Sequence, residues 1–123
     1  MLKALIIAAM SASLTLASAV AGEFRHVVFF KFKADATPEQ VKEIEKAFAE
    51  LPSKIPTVVR YEWGTSESVE KLNDGYTHCF LVTFKDKAGL EAYLPHEAHK
   101  AFGAKLKPLL EKAFVFDYTA QDK

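Results

Sequence analysis

Apolar residues in this chain recur with two different spacings, and segments of one kind alternate with segments of the other. Residues 24–33, FRHVVFFKFK, are rich in β-branched and aromatic side chains and give way to the polar run ADAT, which predicts a strand. His26, Val28, Phe30 and Phe32 share one face of that strand, and Val27 and Phe29 share the other, so both faces carry apolar groups. Thr37, Pro38, Glu39 and Gln40 then form a helix start: a capping threonine, a proline where its missing N–H costs nothing, and a glutamine that completes a capping box. Val41, Ile44, Phe48 and Leu51 follow at helical spacing, with Lys42, Glu43 and Lys46 off the stripe, and Pro52 is expected to stop the helix.

Residues 57–64, TVVRYEWG, predict a second strand, and the polar segment after it ends in the turn signal NDG. Residues 76–85, YTHCFLVTFK, predict a third strand with Tyr76, His78, Phe80, Val82 and Phe84 on one face and Cys79 and Leu81 on the other. Asp86 can cap a short helix through Tyr93, and Pro95 restarts the chain into a helix whose buried stripe is Phe102, Leu106, Leu109 and Leu110. Pro108 should kink or end it early. The last strand is expected at residues 114–119, FVFDYT. The order β-α-β-β-α-β predicts the α+β, ferredoxin-like arrangement, a four-stranded antiparallel sheet with both helices on one face. Its other face would leave Val27, Phe29, Cys79 and Leu81 wet, which predicts a homodimer formed through that open sheet face.

Composition narrows the partners. Of 123 residues, half are apolar and 16 basic side chains balance 16 acidic ones, so no field draws the chain to nucleic acid. Residues 1–21 carry Lys3, an apolar run to about Leu16, and small residues at Ala17, Ala19 and Ala21. That pattern predicts a cleaved export signal, a mature domain at 22–123 and a secreted or periplasmic protein that no longer touches the membrane. Uncleaved, the segment is just long enough to be an anchor. Cys79, the single cysteine, cannot form an internal bridge and reads as a small buried hydrophobe.

The candidate chemistry lies in YLPHEAHKAF, where His96 and His99 stand three residues apart after Pro95. A metal clip needs a third and fourth ligand. His26 and His78 are the only other histidines, and antiparallel strands should hold them about six residues apart at ~3.3 Å each, too far to share one ion; no metal site is expected. A general base fits better. Near a helix N-terminus the macrodipole disfavours the imidazolium, and His99, three residues before Phe102, should face the sheet while His96 sits nearer the rim. Val28, Phe30, Phe80 and Phe102, with His26, His78 and His96 as polar points, could wall a small-molecule cleft or could simply fill a core.

The segments HVVFFKFK, GYTHCFLVTFKD, YLPHEAHKAF and FVFDYT together resemble the stress-responsive A/B barrel family over residues 25–119. The resemblance implies a dimeric α+β barrel, in most members without an assigned activity. It also implies that a chain similar to the family's plant polyketide cyclases would use the histidine at His99 as general base and the tyrosine at Tyr93 to assist it. In that case His26, His78 and His96 would line the pocket, no cofactor would be needed, and the reaction would be an aldol-type cyclisation or lyase step. Glu97 departs from the cyclase pattern, which has proline there. Three functions remain open: a non-catalytic dimer that binds a small apolar molecule, a cofactor-independent cyclase or lyase, and a monooxygenase-like barrel enzyme, in which His99 could ligate haem iron.

Overall fold

A computed structural model describes residues 21–123. The expected export signal, residues 1–21, falls outside this range but for Ala21. Four strands and three helices follow one another as β1 (Phe24–Phe32), α1 (Pro38–Lys54), β2 (Val58–Thr65), β3 (His78–Phe84), α2 (Lys87–Tyr93), α3 (Glu97–Leu106), a single 3-10 turn (Lys107–Leu109) and β4 (Leu110–Thr119). The strands form one antiparallel sheet in the order β2-β3-β1-β4. The ferredoxin-like α+β arrangement expected from the alternation is therefore present.

Pairing fixes the faces. Val28 lies opposite Phe80, and His26 opposite Val82, so the even positions of both central strands look the same way. That way is toward the helices: Phe30, Phe80, Val82 and Phe84 are buried with Ile44, Phe48 and Leu51 of α1, Tyr93 of α2, and Phe102 and Leu106 of α3. Phe48 and Phe80 stack at 4.1 Å and 2° at the centre of this core. Val28, Phe30, Phe80 and Phe102 thus pack on other side chains of the core.

Local chemistry sets the element ends. Thr37 accepts the Gln40 N–H while the Gln40 side chain accepts the Thr37 N–H, the reciprocal capping box anticipated from the sequence. Pro52, expected to stop α1, does not: the helix runs on to Lys54, and the Ile55 N–H closes on Leu51 O. Near a helix end proline forfeits one backbone bond, and three residues remain to finish the turn. The third strand begins at His78, two residues later than expected, because Asp74 and Gly75 adopt positive φ and the Tyr76 N–H turns back to Asn73 O. Pro108 ends α3 as anticipated, at Leu106, and the last strand starts four residues early, at Leu110.

The other sheet face is open in a single chain. Val27, Phe29, Cys79 and Leu81 are half-buried there, and β4 adds Phe114, Phe116 and Tyr118, all exposed. Cys79 keeps its thiol because burial, then the charge of Glu62, raises its pKa. Arg25, buried on this face, is neutralised by Glu23 at 3.0 Å, and Glu23 also takes the guanidinium of Arg60.

Candidate functional site

Strand β1, helix α2 and the first turn of α3 converge at one end of the core, where His26, Tyr93 and His99 come together. The rings of His26 and Tyr93 meet edge to face at 5.9 Å, and those of Tyr93 and His99 lie 4.7 Å apart. Tyr93 is buried, and its burial, with the nearby Tyr61, pushes its hydroxyl far above the usual phenol range. It stays a neutral hydrogen-bond donor.

Which nitrogen of each imidazole is already engaged decides which histidine can accept a proton. His99 Nδ1 lies 3.0 Å from the carbonyl oxygen of Leu94; a carbonyl only accepts, so Nδ1 carries the hydrogen and Nε2 keeps its lone pair. His26 Nδ1 lies 2.6 Å from Asp117 Oδ1, and the carboxylate assigns that ring the same tautomer. His78 is different. Its Nε2 donates to Glu45 Oε2 at 2.7 Å and its Nδ1 takes the Thr77 hydroxyl at 2.7 Å, leaving nothing for a substrate. His96 is the N-cap of α3: its Nδ1 accepts the Ala98 N–H at 3.0 Å. Pro95 therefore precedes the cap instead of opening the helix, which corrects the expected helix start by two residues.

Among the four histidines, His26 and His99 are left with a free acceptor. His99 flanks the buried stripe Ala98, Phe102 and Leu106 and is half-buried, so it is reachable from solvent. Its pKa is lowered by burial above all, against an opposing contribution from the hydrogen bond to the Leu94 carbonyl, with the neighbouring His26 adding a smaller lowering. Burial is thus the leading cause of the neutrality that the sequence reading ascribed to the helix dipole. Because the folded pKa lies below the ordinary 6.5, native stability from this residue is complete above that pH. It drains away as pH falls through the folded value, where the unfolded chain binds the extra proton. A His99→Gln variant should show a shallower fall of Tm on acidification below pH 6.5, measured against wild type in the same buffers.

His78 stands apart. It pairs across from Phe30, four residues from His26 along β1, instead of the six expected, or ~13 Å away. Trp63 stacks on it at 6.1 Å. Among the described residues no group of three or more histidine, cysteine, aspartate or glutamate side chains could hold a metal ion. Sequence reasoning missed Asp117, Glu45 and Tyr61. Asp117 carried a signal, since strand alternation in FVFDYT sets it on the face opposite Phe116; the partner histidine became visible only with the register.

Space is distributed unequally. The gap beneath Tyr93, walled by Phe48, Leu51, Pro52, Val58, Tyr61 and Val82, holds about 120 Å³ of interstitial volume and no position for a water molecule. A roomier hollow of about 780 Å³ lies on the open face under the 66–77 loop, among Phe29, Leu72, Tyr76, Cys79, Lys112 and Phe114.

Residues 24–120 match the sequence pattern of the family described as Stress responsive A/B Barrel Domain. A stress-response A/B barrel domain-containing protein, HS1 of Arabidopsis thaliana, is 36% identical over 97 residues, which is 79% of this chain and 89% of that one. Olivetolic acid cyclase of Cannabis sativa is 34% identical over 95 residues, 77% of this chain and 94% of its own. Among solved structures, the hydroxynitrile lyase of Passiflora edulis superimposes with a TM-score of 0.78 at 25% identity, covering 85% of this chain and 98% of that one. A dimeric ferredoxin-like protein of unknown function from Thermobifida fusca gives 0.69 at 25% identity, over 79% and 90% of the two chains.

Proposed function

This chain belongs to the stress-responsive A/B barrel domain family, and on that premise we propose that it is an exported homodimer handling a small carbonyl compound at the His26–Tyr93–His99 end of its core. One observation carries the reading: His99 holds its hydrogen on Leu94 O and keeps Nε2 open, in an uncharged ring beside a neutral phenol. An uncharged imidazole with a free lone pair removes a proton next to a carbonyl, and a phenol donates to the oxyanion that develops. His26, oriented by Asp117, offers a second acceptor beside Tyr93, while the proton taken up by His99 Nε2 is returned from His99 itself. An aldol-type cyclisation needs a proton taken next to a carbonyl, and cleavage of a hydroxynitrile needs one taken from its hydroxyl as cyanide leaves; the names of a cyclase and a hydroxynitrile lyase stand among the similar proteins, and one base serves either step. The test is turnover or α-proton exchange of candidate ketones, with and without His99.

The filled core favours a second reading, binding without chemistry. Ligands would then raise Tm and never exchange a proton. Export rests on the residue 1–21 pattern, and mass determination of the protein from a secreting host tests it.

The dimer is proposed to form through the open sheet face, where Phe116 is 56% exposed and its neighbours Phe114 and Tyr118 are also uncovered. Sheet against sheet would bury them and close the hollow under the 66–77 loop. Phe116→Asp should convert the protein to monomer at micromolar concentration in analytical ultracentrifugation, since a carboxylate there would be buried without a partner. An unchanged dimer would move the interface elsewhere.

A further inference from the structure

Tyr61 is a residue that the fold does not explain. It pairs with Val82 across β2 and β3, so its side chain enters the helix side of the sheet, and its ring stacks on Phe48 at 5.5 Å and 18°. Its hydroxyl is buried and has no hydrogen-bond partner among the described residues. Water cannot serve, because the adjoining gap has no room for one. A buried hydroxyl without a partner makes the folded state less stable than the phenylalanine of the same shape would. Packing alone therefore selects against this oxygen.

We infer that Tyr61 is a specificity-determining residue whose hydroxyl donates to an acceptor oxygen of the bound molecule, in a subsite between the last turn of α1 and strand β2. The inference rests on the small-molecule reading above and adds a subsite to it. Leu51, Val82 and Tyr93, all buried, and Pro52 and Val58, both half-buried, wall the gap. The side able to yield is the one at Pro52, since Pro52 offers no N–H to the Phe48 carbonyl and the turn it sits in is short of a backbone bond. A molecule lodged there has Tyr61 and Tyr93 beside it, two phenols that burial keeps protonated, while its other walls are apolar. Among the described residues no charged side chain lines the gap. The chemistry it recognises is that of a neutral, largely hydrocarbon molecule with one carbonyl oxygen.

The experiment compares wild type with Tyr61→Phe, using acetophenone and α-methylstyrene, which differ by exchange of C=O for C=CH2. The empty variant should melt about 4 °C or more above wild type, because the unpartnered oxygen is gone. Wild type should bind acetophenone about tenfold more tightly than α-methylstyrene, and the variant should bind the two alike, having lost affinity for the ketone only. Unequal binding that persists in the variant would overturn the role of Tyr61 while leaving small-molecule binding intact. A lower Tm for the empty variant would show that the hydroxyl already has a partner, and would overturn it too. Failure of wild type to bind either compound would remove the subsite, while the small-molecule reading at the His99 end is decided separately by the proton-exchange test.

Discussion

His99→Ala is expected to slow proton abstraction from an activated ketone by about 100- to 10,000-fold, the usual contribution of a positioned general base. The readout is deuterium incorporation next to the carbonyl, followed by mass spectrometry, at pH 7. The magnitude follows from the count of free acceptors. His78 and His96 spend their available nitrogens on Glu45, Thr77 and the Ala98 amide, so neither can take over when His99 is lost. His26 retains an acceptor and sets the residual rate. Since His99 is half-buried at the edge of its helix stripe, its removal should leave the circular dichroism spectrum and the dimer unchanged. Retention of wild-type exchange in the variant would move the base to His26, which the double variant then decides.

The second large effect is structural. Phe80→Ala should destabilise the fold by about 3–5 kcal/mol, the cost of deleting a fully buried aromatic side chain from a core that closes only partly behind it. Phe80 is 0% exposed and touches three rings besides that of His78: Phe48 at 4.1 Å, Phe30 at 5.1 Å and Trp63 at 5.9 Å. Domains of this size have about 5–15 kcal/mol in total, so the variant should lose a large share of its stability and unfold at much lower denaturant. Urea unfolding at fixed protein concentration measures it, with a lower midpoint and an unchanged slope as the expected signature. A loss below about 1 kcal/mol would mean that the ring fills a loose space, not a close-packed one.

Much of this could be read in the chain itself because local rules governed it. Alternation in FRHVVFFKF and HCFLVTF set the faces of the two central strands, and Thr37 with Gln40 announced the start of α1. Pro108 marked the end of α3 for the same reason, a missing donor. What escaped depended on distance along the chain. Asp117 meets His26 across ninety-one residues, and Glu45 meets His78 across thirty-three, so neither pairing has a sequence spacing to betray it. One error was of another kind: Pro52 broke a helix rule without breaking the helix, because the last turn has few bonds left to lose. His96 has a role the spacing did not announce, that of helix cap, its ring nitrogen standing where serine or aspartate usually does. Tyr61 was visible only as a member of a strand; the isolation of its oxygen emerges from three-dimensional packing.

The state of the His99 ring is the quantity on which the functional reading turns, and nitrogen-15 NMR of the imidazole reads it directly. At pH 7 the expected spectrum has a protonated Nδ1 and an unprotonated Nε2, with the ring taking up its second proton only below pH 6.5. A ring carrying both protons at pH 7, or one with its hydrogen on Nε2, would contradict the assignment of His99 as a base.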